Sequence, residues 1–504
     1  MDFEILKELV NSINRNKVKK IEVVGNPNNS DILTERLYQG ILSGAIESDE
    51  SATQTFYQTR DVHDARYRRV RYRLVRQLLQ TALFVDRNQP AFTERMKAYH
   101  QCYADYAAAN ILYIRNAKRP AIWFMEQTLH LAIKYEFIDL CVDTTKFLKL
   151  YNALANPKKH HYYTIQHENF SEQQQRELQA ASCYNQLVRY YVSNRSPNAK
   201  INLLATQLSV ELALLKAKKN TIQFSYYTYQ VGIIGHLALN DNAAAIALSS
   251  EILGLMEANP NANQTAKVLL IIQRLVCQTQ LRHFGAAGGE SSFLYGINIS
   301  EKGTFNWFRL HEFYFHHCLH AQRYEAAWEV FKVGYLHPNF PTLQGNARDN
   351  WHLYGGYCHL LALFGKFDAS TVETVVGKFK YSKFINDFDI MDHDKTAMNI
   401  PLVILPMIYS IANGTSGEAF LSVDALEQYR KRHLDKRLNA RSIAFINLLV
   451  FMINHPFEGY HTSAKIKKNL AILQKEQIQT SRQTVAIEII PYEHLWEMLK
   501  GEHI

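Results

Sequence analysis

The sequence predicts an all-α protein, a right-handed solenoid of antiparallel helix hairpins behind a small N-terminal helical module. Three observations predict it. From about Pro90 onward, amphipathic segments follow one another without interruption by any other pattern. Prolines at 90, 120, 157 and 197 lie 30, 37 and 40 residues apart, and those at 260, 338 and 401 fall near multiples of the same interval. Two antiparallel helices with two short turns fill about that length, and periods of roughly 20–50 residues mark stacked repeats. Finally, strands do not alternate with helices, so a parallel nucleotide-binding sheet is not expected.

The elements follow in order. Residues 2–15 place apolar side chains at helical spacing. Residues 19–24 are β-branched and alternating, a short strand, and Gly-Asn-Pro-Asn-Asn-Ser over 25–30 is turn chemistry. Ser30 or Asp31 then caps a helix over 32–44, ended by Gly44. Ser48 caps a short helix through Tyr57, and a polar turn over 59–64 leads into a long helix reaching about Asp86. Asn88-Gln-Pro90 is the first clear boundary. Beyond it the periodicity predicts helices over 91–116, 120–135, 137–155, 171–193, 198–218, 221–239, 242–258 and 263–284. Residues 285–290, Gly-Ala-Ala-Gly-Gly-Glu, form a loose stretch. Helices resume over 304–321, 323–336, 344–364 and 370–380, residues 384–399 are irregular, and helices return over 400–413, 422–436, 440–454 and 460–478. Residues 484–490 are strand-like, and Pro491 opens a closing helix carrying Leu495, Trp496 and Leu499.

The chain's 504 residues exceed what one compact core holds. A solenoid escapes that limit because each repeat buries its apolar face only against its neighbours. The expected division is an N-terminal module over 1–88, a helical-repeat domain over 89–384 and a C-terminal region over 385–504 that continues or caps the repeats.

A net charge of +9 and a pI near 9.0 permit an acidic partner, nucleic acid or an anionic membrane surface, without requiring one. Cysteines 102, 141, 183, 277, 318 and 358 are scattered through apolar helical stretches with no CxxC, and read as reduced core thiols. The N-terminus has early acids and no apolar signal core. The most apolar stretch, 400–412, is broken by Pro401 and Pro406 and is shorter than the roughly 20 residues of a membrane span. A soluble, cytoplasmic protein without a membrane partner is the expectation.

Several hairpins resemble tetratricopeptide repeats, a family of 34-residue helix–turn–helix units. Trp351, Tyr354, Gly355 and Cys358 fall where that family places W-x2-L-G-x2-Y, with cysteine replacing the tyrosine. Tyr324, Ala327, Phe331, Gly334 and Pro338 resemble its second-helix run, the proline one place early. A third unit, 232–260, has the turn Asn240-Asp-Asn242 and small residues at Ala243, Ala244, Ala245 and Ala247. The likeness is strongest over about 220–365. The resemblance implies a concave groove that binds a protein or peptide without enzymatic activity. The 29 tyrosines and 26 phenylalanines suit both hairpin packing and anchoring in such a groove, whose individual residues the sequence leaves unassigned.

The most suggestive local feature is the run over 66–76. At 100° per residue Arg66, Arg69, Arg73 and Arg76 share one sector about 80° wide, while Tyr67, Val70, Leu74 and Leu78 form a separate apolar stripe. Four guanidiniums in a row can grip phosphates. With the short helix and turn before it, the segment resembles the second and third helices of a helix-turn-helix unit, implying a nucleic-acid-binding regulator with the solenoid as sensor or dimerisation domain. The opposing reading is a solvated face whose arginines pair with Asp49, Glu50, Asp61 or Asp64. Residues 1–90 hold 14 Lys/Arg against 12 Asp/Glu, so the basic helix sits in a nearly balanced module.

Other clusters read as structural. Arg430, Lys431, Arg432, Lys436, Arg437 and Arg441 suit a helix end and its solvated turn. His311, His316, His317 and His320 include an i,i+4 pair able to share a metal, but aromatic packing explains most of them. Asp387, Asp389, Asp392, His393 and Asp394 lack the alternation, central glycine and closing glutamate of a calcium loop. The 285–290 segment lacks the Lys-Ser/Thr of a phosphate loop. No catalytic residue, cofactor site or metal site is assigned.

Overall fold

The computed structural model describes residues 3–7, 10, 29–83, 93–192, 198–217, 220–343, 346–378, 399–413, 423, 427, 430–431, 434, 439–454, 464–475 and 488–501. Among these residues every regular element is helical and no strand occurs. The expected strand over 19–24 lies outside them, as do the expected domain boundaries near 88 and 384. Residues 488–490 of the second expected strand are a bend leading into the last helix. The chain forms two compact units, Met1–Gln174 and Gln175–Ile504.

In the first unit, helices α1 (Asn29–Leu42), α2 (Asp49–Tyr57) and α3 (Ala65–Leu83) join the helical residues 3–7. They share one core of Leu6, Leu37, Tyr38, Ile41, Ile46, Ala52, Tyr67 and Leu74. A second core gathers Cys102, Met125, Cys141, Leu148, Tyr163 and Phe170 from α4 (Glu94–Ile114), α5 (Lys118–Lys134), α6 (Ile138–Ala155) and the first half of α7 (Pro157–Val192), a helix whose residues from Gln175 on belong to the second unit. Helix α7 corrects the expectation of a break before residue 171. Pro157 sits at its first position, where a missing N–H and a fixed φ fit a helix start. The Asn156 side chain accepts from the Lys159 N–H at 3.1 Å and closes that end.

The second unit continues with α8 (Asn198–Leu214), α9 (Ile222–Ala238), α10 (Asn242–Ala258) and α11 (Gln264–Gln280). The 285–290 segment is not loose. Ala286–Glu290 is a kinked turn, non-helical at Gly288 (φ −95°, ψ −130°), that runs directly into α12 (Ser291–Ile299), a helix absent from the sequence expectation. Its glycines are steric: a Cβ on Gly289 would lie 2.3 Å from the His317 ring, and one on Gly288 2.1 Å from the His283 carbonyl oxygen. Then come α13 (Phe305–His320), α14 (Tyr324–Tyr335), α15 (Asn346–Leu363), α16 (Ala369–Val376), α17 (Asn399–Ala412), α18 (Ala440–Asn454), α19 (Ala464–Lys475) and α20 (Tyr492–Gly501). Leu495, Trp496 and Leu499 of α20 are buried, as their spacing predicts.

A repeat is visible in this register. Helices α9, α11, α13 and α15 begin at 222, 264, 305 and 346, intervals of 42, 41 and 41 residues. That is longer than the 34 residues of a tetratricopeptide unit. Six helix ends close in the same way. Asn116, Glu136, Asn240, Arg282, Gln322 and Gly365 take positive φ, and each N–H bonds the carbonyl three residues back while the next N–H bonds the carbonyl five back. This is the Schellman arrangement, which satisfies two orphan carbonyls and reverses the chain within three residues.

Side chains also tie five of these helices to the one after next. In the first unit Tyr99 meets Phe137 at 5.3 Å, Tyr113 meets Phe147 at 4.9 Å, and Glu126 of α5 accepts from Lys159 and Tyr163 of α7 at 2.9 and 3.1 Å. In the second, Gln230 and Gln273 exchange amide bonds at 3.1 and 3.0 Å, Thr279 bonds His317 at 2.9 Å, and Tyr354 donates to Glu312 at 2.6 Å. Helix α13 is the centre of this unit: thirteen of its sixteen residues are buried, so it has no solvent face.

The residues that resemble a tetratricopeptide unit divide between interior and surface: Pro338, Ala243 and Ala247 are exposed and Tyr324 and Ala244 half-buried, while most of the others are interior. Trp351, Tyr354 and Cys358 are buried on α15, and Ala327 and Phe331 on α14. Gly334 is the point of closest approach between those two helices, since a Cβ there would stand 2.2 Å from Cη2 of Trp351. Overpacking a filled core costs about 1–3 kcal/mol, so Gly334→Ala should lower the urea midpoint clearly. Gly254→Ala, with open space around it, should be neutral or stabilising by up to about 1 kcal/mol in the same assay.

Candidate functional site

The arginine helix is α3. Its register is set from α2, whose start is built by Ser48: the Ser48 side chain accepts from the Ser51 N–H while Ser51 reciprocates. Gln58, at positive φ, ends α2 and opens the turn. Asp64 then accepts the Arg66 N–H at 2.7 Å at the start of α3. Asp49, the first residue of α2, accepts from Tyr67 at 2.5 Å and pairs with Arg71 at 3.1 Å. Burial, then Asp49, pushes the Tyr67 phenol up, so it stays a donor. Tyr67, Val70, Leu74 and Leu78 all face the core, as the sequence stripe requires.

The four predicted arginines therefore point outward, but they are not equivalent. Arg66 is committed to Asp64 through two bonds of 3.2 and 2.7 Å and lies over the Tyr57 ring at 4.5 Å. Its bond holds the Asp64 carboxyl at about 2. Arg76 bonds Tyr72 at 3.1 Å and lies over its ring. Arg69 and Arg73 are exposed, and so are Arg68 and Tyr72, which the sequence reading did not single out. Two of the anticipated neutralising pairs thus form, Arg66–Asp64 and Arg71–Asp49. The rest is a cationic face able to hold a row of anionic oxygens.

The second basic run is different. Arg430 and Lys431 pair with Glu427 at 4.0 and 3.4 Å. Arg441 is buried: it bonds Glu488 at 2.6 and 2.9 Å, Glu493 at 2.7 and 3.2 Å, and the Leu473 carbonyl. That corrects the expectation of a solvated turn at this position, since Arg441 is an internal anchor. Arg432, Lys436, Arg437 and the acidic residues 387–394 lie outside the described residues.

The histidines of α13 are all buried. His311 Nδ1 bonds the Trp307 carbonyl at 2.9 Å, His317 Nδ1 bonds Thr279 at 2.9 Å and His320 Nε2 bonds the Glu488 carbonyl at 2.6 Å. Neither ring nitrogen of His316 has a partner; its ring sits edge-on to Tyr354 at 4.9 Å. Among the described residues no three His, Cys, Asp or Glu side chains gather as a metal site. All six cysteines are buried and none forms a disulfide. No described helix is long and apolar enough to cross a membrane.

A further face escaped the sequence reading. On α4, Tyr99, Tyr103, Tyr106 and Tyr113 fall within about 80° of the helix surface. Alongside, α6 presents Asp139, Asp143, Lys146, Leu150 and Leu154, all exposed, with Leu154 98% accessible. Tyr113 packs on Phe147 and Tyr151. The Tyr103 phenol is pushed up by burial, by its hydrogen bond with Tyr99 and by Asp139 and Asp143. Neither carboxylate has a cationic partner among the described residues; Asp139 accepts from Gln174 at 2.8 Å. Tyrosines at i, i+4, i+7 and i+14 were the available signal, but such a stripe ordinarily faces a core.

No protein-family model, curated protein or solved structure matches the chain.

The α13 histidines generate an acid-stability prediction. Burial depresses His311 and His317 to about 4, and His316 and His320 to about 3, against 6.5 when exposed. Between these values the unfolded chain binds more protons than the folded one, so stability falls as pH drops below about 6.5. Each such histidine removes up to about 1.4 kcal/mol per pH unit in that window. Urea midpoints of the second unit should fall steeply from pH 7.5 to pH 5, and His316→Leu should make that fall shallower.

Proposed function

We propose that this chain is a non-enzymatic cytoplasmic scaffold, a right-handed, tetratricopeptide-like α-solenoid that binds a protein or peptide on its helical-repeat surface. The observation that carries this reading is that α9, α11, α13 and α15 begin 41–42 residues apart and that side chains tie each of these helices to the next in the series. Hairpins stacked in this way bury a core only between neighbours and leave one edge of each helix row free as an extended surface. Such surfaces recognise partners by aromatic anchors rather than by a catalytic pocket. Affinity purification of the full chain from its host, followed by size-exclusion chromatography with light scattering, should return a stoichiometric protein partner. A partnerless monomer under native expression would remove the reading.

The exposed arginines of α3 favour a second reading, a nucleic-acid-binding regulator. Its contacts would be phosphates, because a row of guanidiniums neutralises a backbone before it reads any base. Arg69→Ala with Arg73→Ala should then abolish duplex binding and flatten its salt dependence by about 0.9 per lost phosphate contact. Affinity unchanged by the pair of substitutions would dispose of this alternative.

A further inference from the structure

We infer that the tyrosine–carboxylate face of α4 and α6 is a docking surface for an extended peptide segment that carries arginine or lysine a few residues from a large apolar side chain. The inference rests on the scaffold reading and names its surface and partner class. Three features of the face converge on this occupant.

The first is charge. Asp139 and Asp143 stand one helical turn apart on the exposed side of α6, where like charges at i,i+4 repel by a few tenths of a kcal/mol. A protein of net charge +9 nonetheless leaves both without a cation among the described residues. A guanidinium answers both, since it bonds carboxylates in a planar fork.

The second is the aromatic row beside them. Tyr99 and Tyr103 are exposed and tilted against each other at 4.6 Å, and the charges of both aspartates act on the Tyr103 phenol. A cation held by the carboxylates would lie against tyrosine rings, whose faces attract positive charge. Phosphates are repelled by the same carboxylates, which separates this face from the arginine face of α3.

The third is polarity along the helix. Past Asp143 and Lys146 the stripe turns apolar at Phe147, Leu150 and Leu154, and the two leucines are 63% and 98% exposed. Eleven residues of helix from Asp143 to Leu154 span about 16 Å. An extended chain covers that distance in about five residues. The segment that fits therefore has its cation and its apolar anchor about five residues apart.

The test uses the full chain and a fluorescein-labelled ten-residue peptide with two arginines five residues before a Leu-Phe pair. A counterpart with glutamates replacing the arginines serves as control. Anisotropy should show saturable binding of the arginine peptide alone. Asp139→Asn with Asp143→Asn, both exposed changes, should weaken it at least about tenfold, while Arg69→Ala with Arg73→Ala should leave it unchanged. Absence of saturable binding, equal binding of both peptides, or indifference to the aspartate changes would overturn the assignment. So would a dimer in sedimentation that the aspartate changes dissociate, because the face would then join two copies. If a stoichiometric partner co-purifies equally with wild type and the Asp139→Asn, Asp143→Asn variant, this surface is wrong while the scaffold reading stands.

Discussion

Glu312 lies buried in the middle of α13, and a buried carboxylate persists only where donors surround it. Arg309 comes from its own helix, but Tyr354 and Asn350 come from α15, at 2.6 and 3.2 Å. Helices α13 and α15 are therefore held side by side in one register, since a shift of one turn would leave the buried Glu312 with only Arg309 of its own helix. The Gln230–Gln273 exchange does the same for α9 and α11, and Thr279 with His317 for α11 and α13. Apolar area around Trp351, Phe331 and Phe308 supplies the larger share of the energy, but it is non-directional. The polar pairs choose among the packings it would tolerate.

The same division holds at the end of the second unit. Arg441 holds Glu488 and Glu493 together, and its guanidinium stays charged because their proximity outweighs its desolvation. Glu488 in turn gives its carbonyl to His320 and its carboxylate to the Tyr492 N–H. Through one residue the end of α13, the start of α18 and the start of α20 are fixed to one another. Such networks are specific more than stabilising, because most of the Coulomb gain offsets the loss of hydration.

How much of this the sequence disclosed depended on how local each cause was. The Tyr67, Val70, Leu74, Leu78 stripe and the Ser48 cap were legible because both act within one or two turns. Helix α7 was misjudged because Pro157 reads as a breaker unless its place at a helix start is known. The kinked turn before α12 was hidden because glycines required by the His317 ring and the His283 carbonyl look the same as glycines of a loop. Glu136, Arg282 and Gln322 give no residue-type signal for the positive φ they adopt; the flanking helices impose it. The fate of Arg441 depended on partners 47 and 52 residues away, beyond any periodicity. Whether Tyr99 and Tyr103 faced core or solvent was likewise a property of neighbouring helices.

Two surfaces of opposite character emerge from the first unit, a guanidinium face on α3 and a tyrosine–carboxylate face on α4 and α6. The opposite sides of those helices are filled by cores, and packing accounts for only part of each face: Tyr99 and Tyr113 rest on the rings of Phe137 and Phe147, whereas Asp139, Asp143, Leu150 and Leu154 face outward. The account of the scaffold itself depends on alternate helices being in direct contact. A double-mutant cycle between Glu312→Met and Tyr354→Phe measures that contact across α13 and α15. We predict a coupling of at least about 1 kcal/mol in urea unfolding. Additivity within about 0.3 kcal/mol would contradict the lateral register that the proposed stack requires.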